Sequence, residues 1–145
     1  MSDVLTLSQI RMPGTARSKD EAIREAGEML VEAGAVEPAY IDSMFDRERS
    51  VSTYMGNYLA IPHGTNESKE SIKRSALSVI RYVEPIDWDG NEVRFALGIA
   101  GYQGGHMDIL SRIAIVFSDT DEVDKLLAAG SAEEIYDLLN AVNEE

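Results

Sequence analysis

The chain has 145 residues, 44% of them hydrophobic, with no cysteine and a formal net charge of −13 from 26 acidic and 13 basic residues. That length suits one domain, residues 1–145, with a core of its own; the lack of cysteine excludes disulfides and thiolate metal sites. No apolar stretch approaches the ~20 residues that a membrane helix needs, and so acidic a chain is a poor ligand for nucleic acid, whose binding rests on neutralising phosphates with Lys and Arg.

The same charge disfavours an anionic membrane surface and would steer a basic protein partner. Met1-Ser2-Asp3-Val4 lacks the basic start and apolar run of a signal peptide, so a cytoplasmic protein is expected. Residues 119–145 hold nine acids and one base. A solvated helix face is the ordinary account of such an end, a docking surface the other.

The first helix is predicted to start at Ser18, which forms a capping box with Glu21. Ala22, Ile23, Ala26, Leu30 and Ala33 follow at helical spacing, and Gly34 is a natural residue to follow the helix end. A second helix begins near Pro38, which suits a first turn. Its buried stripe is Tyr40, Ile41, Met44 and Phe45, and it ends around Arg47 to Arg49.

A short strand is expected from Tyr58 to Ile61, and a longer one from Ala76 to Val83. The longer strand places Leu77 and Val79 on one face, with Arg81 next in phase, and Ala76, Ser78, Ile80 and Tyr82 on the other. Asp89-Gly90-Asn91 signals a turn. Val93 to Ala100 reads as a strand with Val93, Phe95, Leu97 and Ile99 on one side. After the Gly101 to Gly105 loop, Met107, Leu110, Ile113, Ala114 and Phe117 suggest a helix. Asp119 and Ser131 read as N-caps of two closing helices. Helices and strands mixed in one domain point to an α/β sandwich.

The most informative segment is Asn57-Tyr58-Leu59-Ala60-Ile61-Pro62-His63-Gly64-Thr65. Pro62 fixes its own φ and removes a donor, and it holds Ile61 extended. An imidazole displayed so rigidly at a strand end is a nucleophile near neutral pH, which suggests a covalent phosphoryl carrier. Backbone N–H groups after His63, with Asn66 capping a short helix through Ile72, would serve the phosphate oxygens. Sequence does not choose between the two ring nitrogens. The Gly101 to Gly105 stretch lacks the Lys-Ser/Thr ending of a P-loop, and His63, His106 and Asp108 lack the spacing of a metal site. No cofactor and no metal are therefore expected. Met55, Tyr54 and Tyr58 read as core, or as an apolar rim that keeps water from a labile phosphohistidine.

Glu48, Met55, Gly56, Leu59, Ala60, Ile61, Pro62, His63 and Gly64 together resemble the active-site signature of the mannitol/fructose class of enzyme IIA domains of the phosphoenolpyruvate-dependent sugar phosphotransferase system. Leu7 to Arg11, Glu84 to Trp88 and Gly98 to His106 extend the likeness over essentially the whole chain. Ser52 to Asn57 and Pro62 to Thr65 look most like the mannitol branch. The resemblance implies a mixed β-sheet with helices on both faces. It implies that His63 accepts phosphate from phospho-HPr on Nε2 and passes it to a cysteine of a IIB component, or of a IIB domain of the membrane permease. It implies that His106 hydrogen-bonds the phosphate and that Arg47 stabilises its charge, a guanidinium being able to clamp two oxygens. Arg49 is the rival for that role, and Glu48 has no evident one beyond orienting Arg47 or Arg49 by a salt bridge. The alternative is a regulatory, nitrogen-type IIA protein that acts by phosphorylation-dependent binding.

Overall fold

One long hairpin is the spine of the sheet. The computed structural model describes residues 4–65, 70–102 and 105–140. Strand β4 (Ala76–Trp88) runs antiparallel to β5 (Asn91–Ala100). Two residues join them, Asp89 at φ 56° and Gly90 at φ 93°, the left-handed pair that matches strand twist in tight hairpins. The short β1 (Ile10–Arg11) lies parallel to β4. On the other side β3 (Leu59–Ala60) lies parallel to β5, and β2 (Tyr54–Gly56) closes that edge antiparallel to β3. The order β1-β4-β5-β3-β2 is the expected mixed sheet.

Helices cover both faces, as expected. Against one face lie α1 (Lys19–Glu32) and α2 (Ala39–Ser50), with Ala22, Ile23, Ala26, Leu30, Tyr40 and Met44 packed on Ile80, Tyr82 and Ala96. Against the other lie α3 (His106–Phe117), α4 (Thr120–Ala128) and α5 (Ala132–Leu139), with Ile109, Ile113, Phe117, Leu126 and Ile135 packed on Leu77, Val79, Phe95 and Leu97. Arg81 lies on this second side, donating from Nη1 to the Ala129 carbonyl. Val93, expected beside Phe95, packs instead with Ile86 and Trp88 on the α1–α2 side. The cause is the register shift in β4 between Arg81 and Ile86: a bulge increases local twist and re-aims the strand, and the exposed Pro85, lacking a donor, sits within it. Beyond it β4 runs on to Trp88, five residues past the expected end.

The predicted caps form. Ser18, Asp119 and Ser131 accept the backbone N–H of Glu21, Asp121 and Glu134. The Glu21 carboxylate takes the N–H of Arg17 rather than that of Ser18. Helix α1 presses directly on the sheet at Gly98, where an added Cβ would come within 2.5 Å of Ser78 Oγ and 3.1 Å of the Ala26 carbonyl oxygen. Among the described residues no helix is long and apolar enough to cross a membrane.

One buried carboxylate ties α1 to the sheet edge. Glu25, 6% exposed, accepts from Arg11 Nη1, Thr15 N, Thr15 Oγ1, Ala16 N and Tyr82 Oη, all within 3.1 Å. Burial pushes its pKa up, but the Thr15 N–H, Arg11, the Tyr82 hydroxyl and the Thr15 hydroxyl pull it further down, to about 2. A carboxyl held below its ordinary 4.5 stabilises the fold above that pH and stops doing so as pH falls toward 2. Glu25→Gln should cost roughly 2–3 kcal/mol at neutral pH, after allowance for solvent screening. Urea unfolding at several pH values checks this: the gap between wild type and variant should shrink between pH 4.5 and 2.

Candidate active site

His63 stands where β3 stops. Ile99 N–H donates to the Pro62 carbonyl at 3.1 Å, and His63 itself forms an isolated parallel bridge with Ile99. On the other edge Ile61 N–H donates to the Thr53 carbonyl at 3.0 Å, continuing the Tyr54↔Ala60 register of β2 and β3. The ring bends back on its own strand, with Nδ1 2.8 Å from the Ile61 carbonyl oxygen. A carbonyl can only accept. Neutral His63 therefore carries its proton on Nδ1 and its lone pair on Nε2, a choice that the sequence left open.

The turn after the histidine is held by a side chain that sequence reasoning placed only in a buried stripe. The Tyr40 hydroxyl, in the first turn of α2, accepts Gly64 N–H at 2.8 Å and donates to the Ile99 carbonyl at 2.8 Å. It thus sits between the two groups that would otherwise close the bridge between these strands. Tyr40 is 2% exposed, and burial raises its hydroxyl, against the pull of Gly64 N–H, up to about 12. It stays protonated and can make both bonds. The expectation that N–H groups after His63 serve phosphate therefore fails at Gly64, whose N–H is already bonded to Tyr40. Asn66, expected to cap a short helix, lies outside the described residues; Ile72 pairs with Val36 in an isolated antiparallel bridge. A buried tyrosine needs a partner for its hydroxyl, and that was the available signal for Tyr40.

Arg47 is in the last turn of α2, half-buried, and donates from Nη1 to the Val51 carbonyl at 2.8 Å. Val51 lies two residues before Thr53, whose carbonyl accepts Ile61 N–H. Arg49 is placed differently. Two positions on along a helix it faces another way, pairs with Asp46, and lines an open cleft with Asp20, Arg24, Asp42 and Phe45. Glu48 does not orient either arginine: its carboxylate is buried against Thr53 and Trp88. His106 is the first residue of α3, which follows the end of β5 at Ala100. Its side chain and residues 103–104 of the preceding loop are outside the described set. Met55 and Tyr58 are not core; they are exposed near the turn of the β2–β3 hairpin, away from His63. Val51, Tyr102 and Met107 are also exposed.

A mixed five-stranded α/β sandwich that ends a strand in Pro-His-Gly, with the ring fixed to its own backbone, defines a histidine-bearing enzyme IIA-type domain. Residues 3–142 match the family "Phosphoenolpyruvate-dependent sugar phosphotransferase system, EIIA 2", and the chain belongs to that family of phosphotransferases. It is 53% identical over 141 residues to the mannitol-specific phosphotransferase enzyme IIA component of Halalkalibacterium halodurans, covering 97% of each chain. In solved structures it resembles the IIA chain in the complex of enzyme IIAMTL and phosphorylated enzyme IIBMTL from Escherichia coli. That match has 32% identity, a TM-score of 0.86, and covers 93% of this chain and 96% of that one. It also resembles the nitrogen regulatory protein IIA-Ntr of Neisseria meningitidis, at 30% identity and a TM-score of 0.82, covering 94% and 96%.

Tyr40→Phe removes the acceptor of Gly64 N–H and one donor to Ile99. It should lower stability by about 1–3 kcal/mol and speed amide exchange at Gly64. Urea unfolding with hydrogen exchange reads both, and an unchanged exchange rate at Gly64 would mean the hydroxyl does not hold the turn.

Proposed function

We propose that residues 1–145 act as one cytoplasmic phosphocarrier domain, in which His63 accepts a phosphoryl group from phospho-HPr and passes it to a cysteine of a IIB component serving mannitol or a related polyol. The observation that carries the proposal is the orientation of the His63 ring. With Nδ1–H donated to the Ile61 carbonyl, the Nε2 lone pair attacks phosphorus; the Nε2–P bond forms as the bond to HPr breaks, its electrons leaving with HPr. The phosphorylated ring keeps its Nδ1 proton and so bears positive charge, which the Ile61 carbonyl dipole stabilises. In the second step the IIB thiolate attacks phosphorus, and the Nε2–P electrons return to the ring. Phosphoryl transfer asks mainly for positioning and charge stabilisation. Arg47 is assigned to the equatorial oxygens and His106 to a hydrogen bond with one of them.

Mannitol is supported by the name of the 53%-identical relative, and a IIB acceptor by the Escherichia coli complex with phosphorylated IIB. The acceptor cysteine must lie elsewhere, since this chain has none. The nitrogen regulatory likeness keeps a second reading in play: the same phosphorylated histidine, used to control binding rather than uptake.

Incubation with phosphoenolpyruvate, enzyme I and HPr, followed by intact mass and mapping of acid-labile phosphate, tests the proposal. One phosphate on His63, lost in His63→Ala and transferable to a mannitol IIB cysteine, is the expected result. Phosphate that no IIB accepts would favour the regulator, and none at all from folded protein would overturn both. Arg47→Ala and His106→Ala should fold yet transfer roughly ten- to a thousandfold more slowly. A variant with the wild-type rate would remove its residue from the site.

A further inference from the structure

Glu48 opens the sequence signature, yet phosphate chemistry offers it no task. It is 5% exposed in the last turn of α2. Oε2 accepts Thr53 N–H at 2.8 Å and Trp88 Nε1–H at 3.1 Å, while Oε1 accepts the Thr53 hydroxyl. Lys19 Nζ, which also pairs with Asp89, lies 3.9 Å from Oε2. Three donors converge on one group, and a carboxylate can accept from all of them without offering a donor of its own.

The consequence appears on the neighbouring strand. Thr53 and Ile61 face each other across the antiparallel pair, where hydrogen-bonded residues ordinarily exchange two bonds. Only one of the two is made, from Ile61 N–H to the Thr53 carbonyl. The return donor, Thr53 N–H, is taken by Glu48, and the return acceptor, the Ile61 carbonyl, receives His63 Nδ1 instead.

We infer that Glu48 is a positioning residue that sets the tautomer of His63. By drawing Thr53 N–H out of the strand ladder, it leaves the Ile61 carbonyl to the imidazole, which places the proton on Nδ1 and the lone pair on Nε2. The inference builds on the proposed role of His63 as nucleophile, but the ring's protonation can be read without phosphate.

Long-range 1H–15N correlation spectra of the histidine rings, in wild type, Glu48→Gln and Glu48→Ala, test it, with His63→Ala supplying the assignment. Single-turnover phosphorylation by phospho-HPr is measured on the same proteins. Neutral wild-type His63 should carry its proton on Nδ1. In Glu48→Ala the Nε2–H form should become populated and the phosphorylation rate should fall roughly ten- to a hundredfold. Glu48→Gln keeps one acceptor oxygen and should fall between. A wild-type ring protonated on Nε2 would overturn the inference whether or not the variants fold. So would a cooperatively melting Glu48→Ala with the wild-type tautomer. A wild type that never takes phosphate, but whose tautomer shifts in Glu48→Ala, would end the carrier proposal and leave this inference standing.

Discussion

The site depends on how β3 is held. It is only two residues long, far too short to be stable alone, yet both its edges are occupied: β5 on one side, β2 on the other. Beyond it the chain still makes one bond to each side, Ile61 N–H to Thr53 and the Pro62 carbonyl from Ile99 N–H. Pro62 has no N–H to offer β5, and Tyr40 then inserts its hydroxyl between Gly64 and Ile99. The strand therefore ends at a defined residue, with the histidine still bridged to the sheet at Ile99 and its ring folded back on Ile61. Rigid strands hold reacting groups more exactly than loops do, and His63 is held by the last hydrogen bonds of one.

Helix α2 supplies much of that control from a single element. Tyr40 in its first turn acts on the residue after the histidine, Arg47 near its end bonds the Val51 carbonyl, and Glu48 beside it acts on Thr53. Adjacent helix residues face different ways, so Arg47 bonds the Val51 carbonyl while Glu48 turns inward toward Trp88. Glu25 does for α1 what Glu48 does for α2. In a chain with 26 acids, these two glutamates are buried, and each is surrounded by donors. A buried carboxylate is costly unless its oxygens are hydrogen-bonded; here the bonds are made to segments distant in sequence or to a turn, so they join helix to sheet.

What was legible in the sequence was local. Ser18, Asp119 and Ser131 cap helices because a side-chain oxygen reaches an N–H two or three residues on, which needs no knowledge of the fold. The alternation of Leu77 and Val79 against Ile80 and Tyr82 follows from the strand period. His63 was legible because Pro62 and Gly64 constrain it within three residues. β1 and β2 were not, being two and three residues long and lying at the sheet edges, where hydrophobic periodicity has no room to repeat. Val93 was misplaced because a bulge, not the alternation, sets its side. Tyr40, Thr53 and Glu48 act across the sheet or across a turn, and each reads locally as an ordinary core or helix-end residue. The likeness to a known family gave Arg47 a phosphate role but marked Glu48 only as a position, without saying what it touches.

A carrier has to give up what it accepts, and this limits what its site should contain. A general base that took a proton during acceptance would have to return it during donation. The His63 geometry avoids that requirement in the proposed reaction, because the Nδ1 proton stays on its Ile61 bond in both directions and only the Nε2–P bond forms and breaks. Positive charge on the phosphorylated ring also makes it a better leaving group, so the carbonyl that orients the nucleophile assists departure too. Fixing one hydrogen bond to one nitrogen thus serves both half-reactions. A second strong acceptor at Nε2 would oppose both, since it would favour the tautomer with its lone pair on the wrong atom.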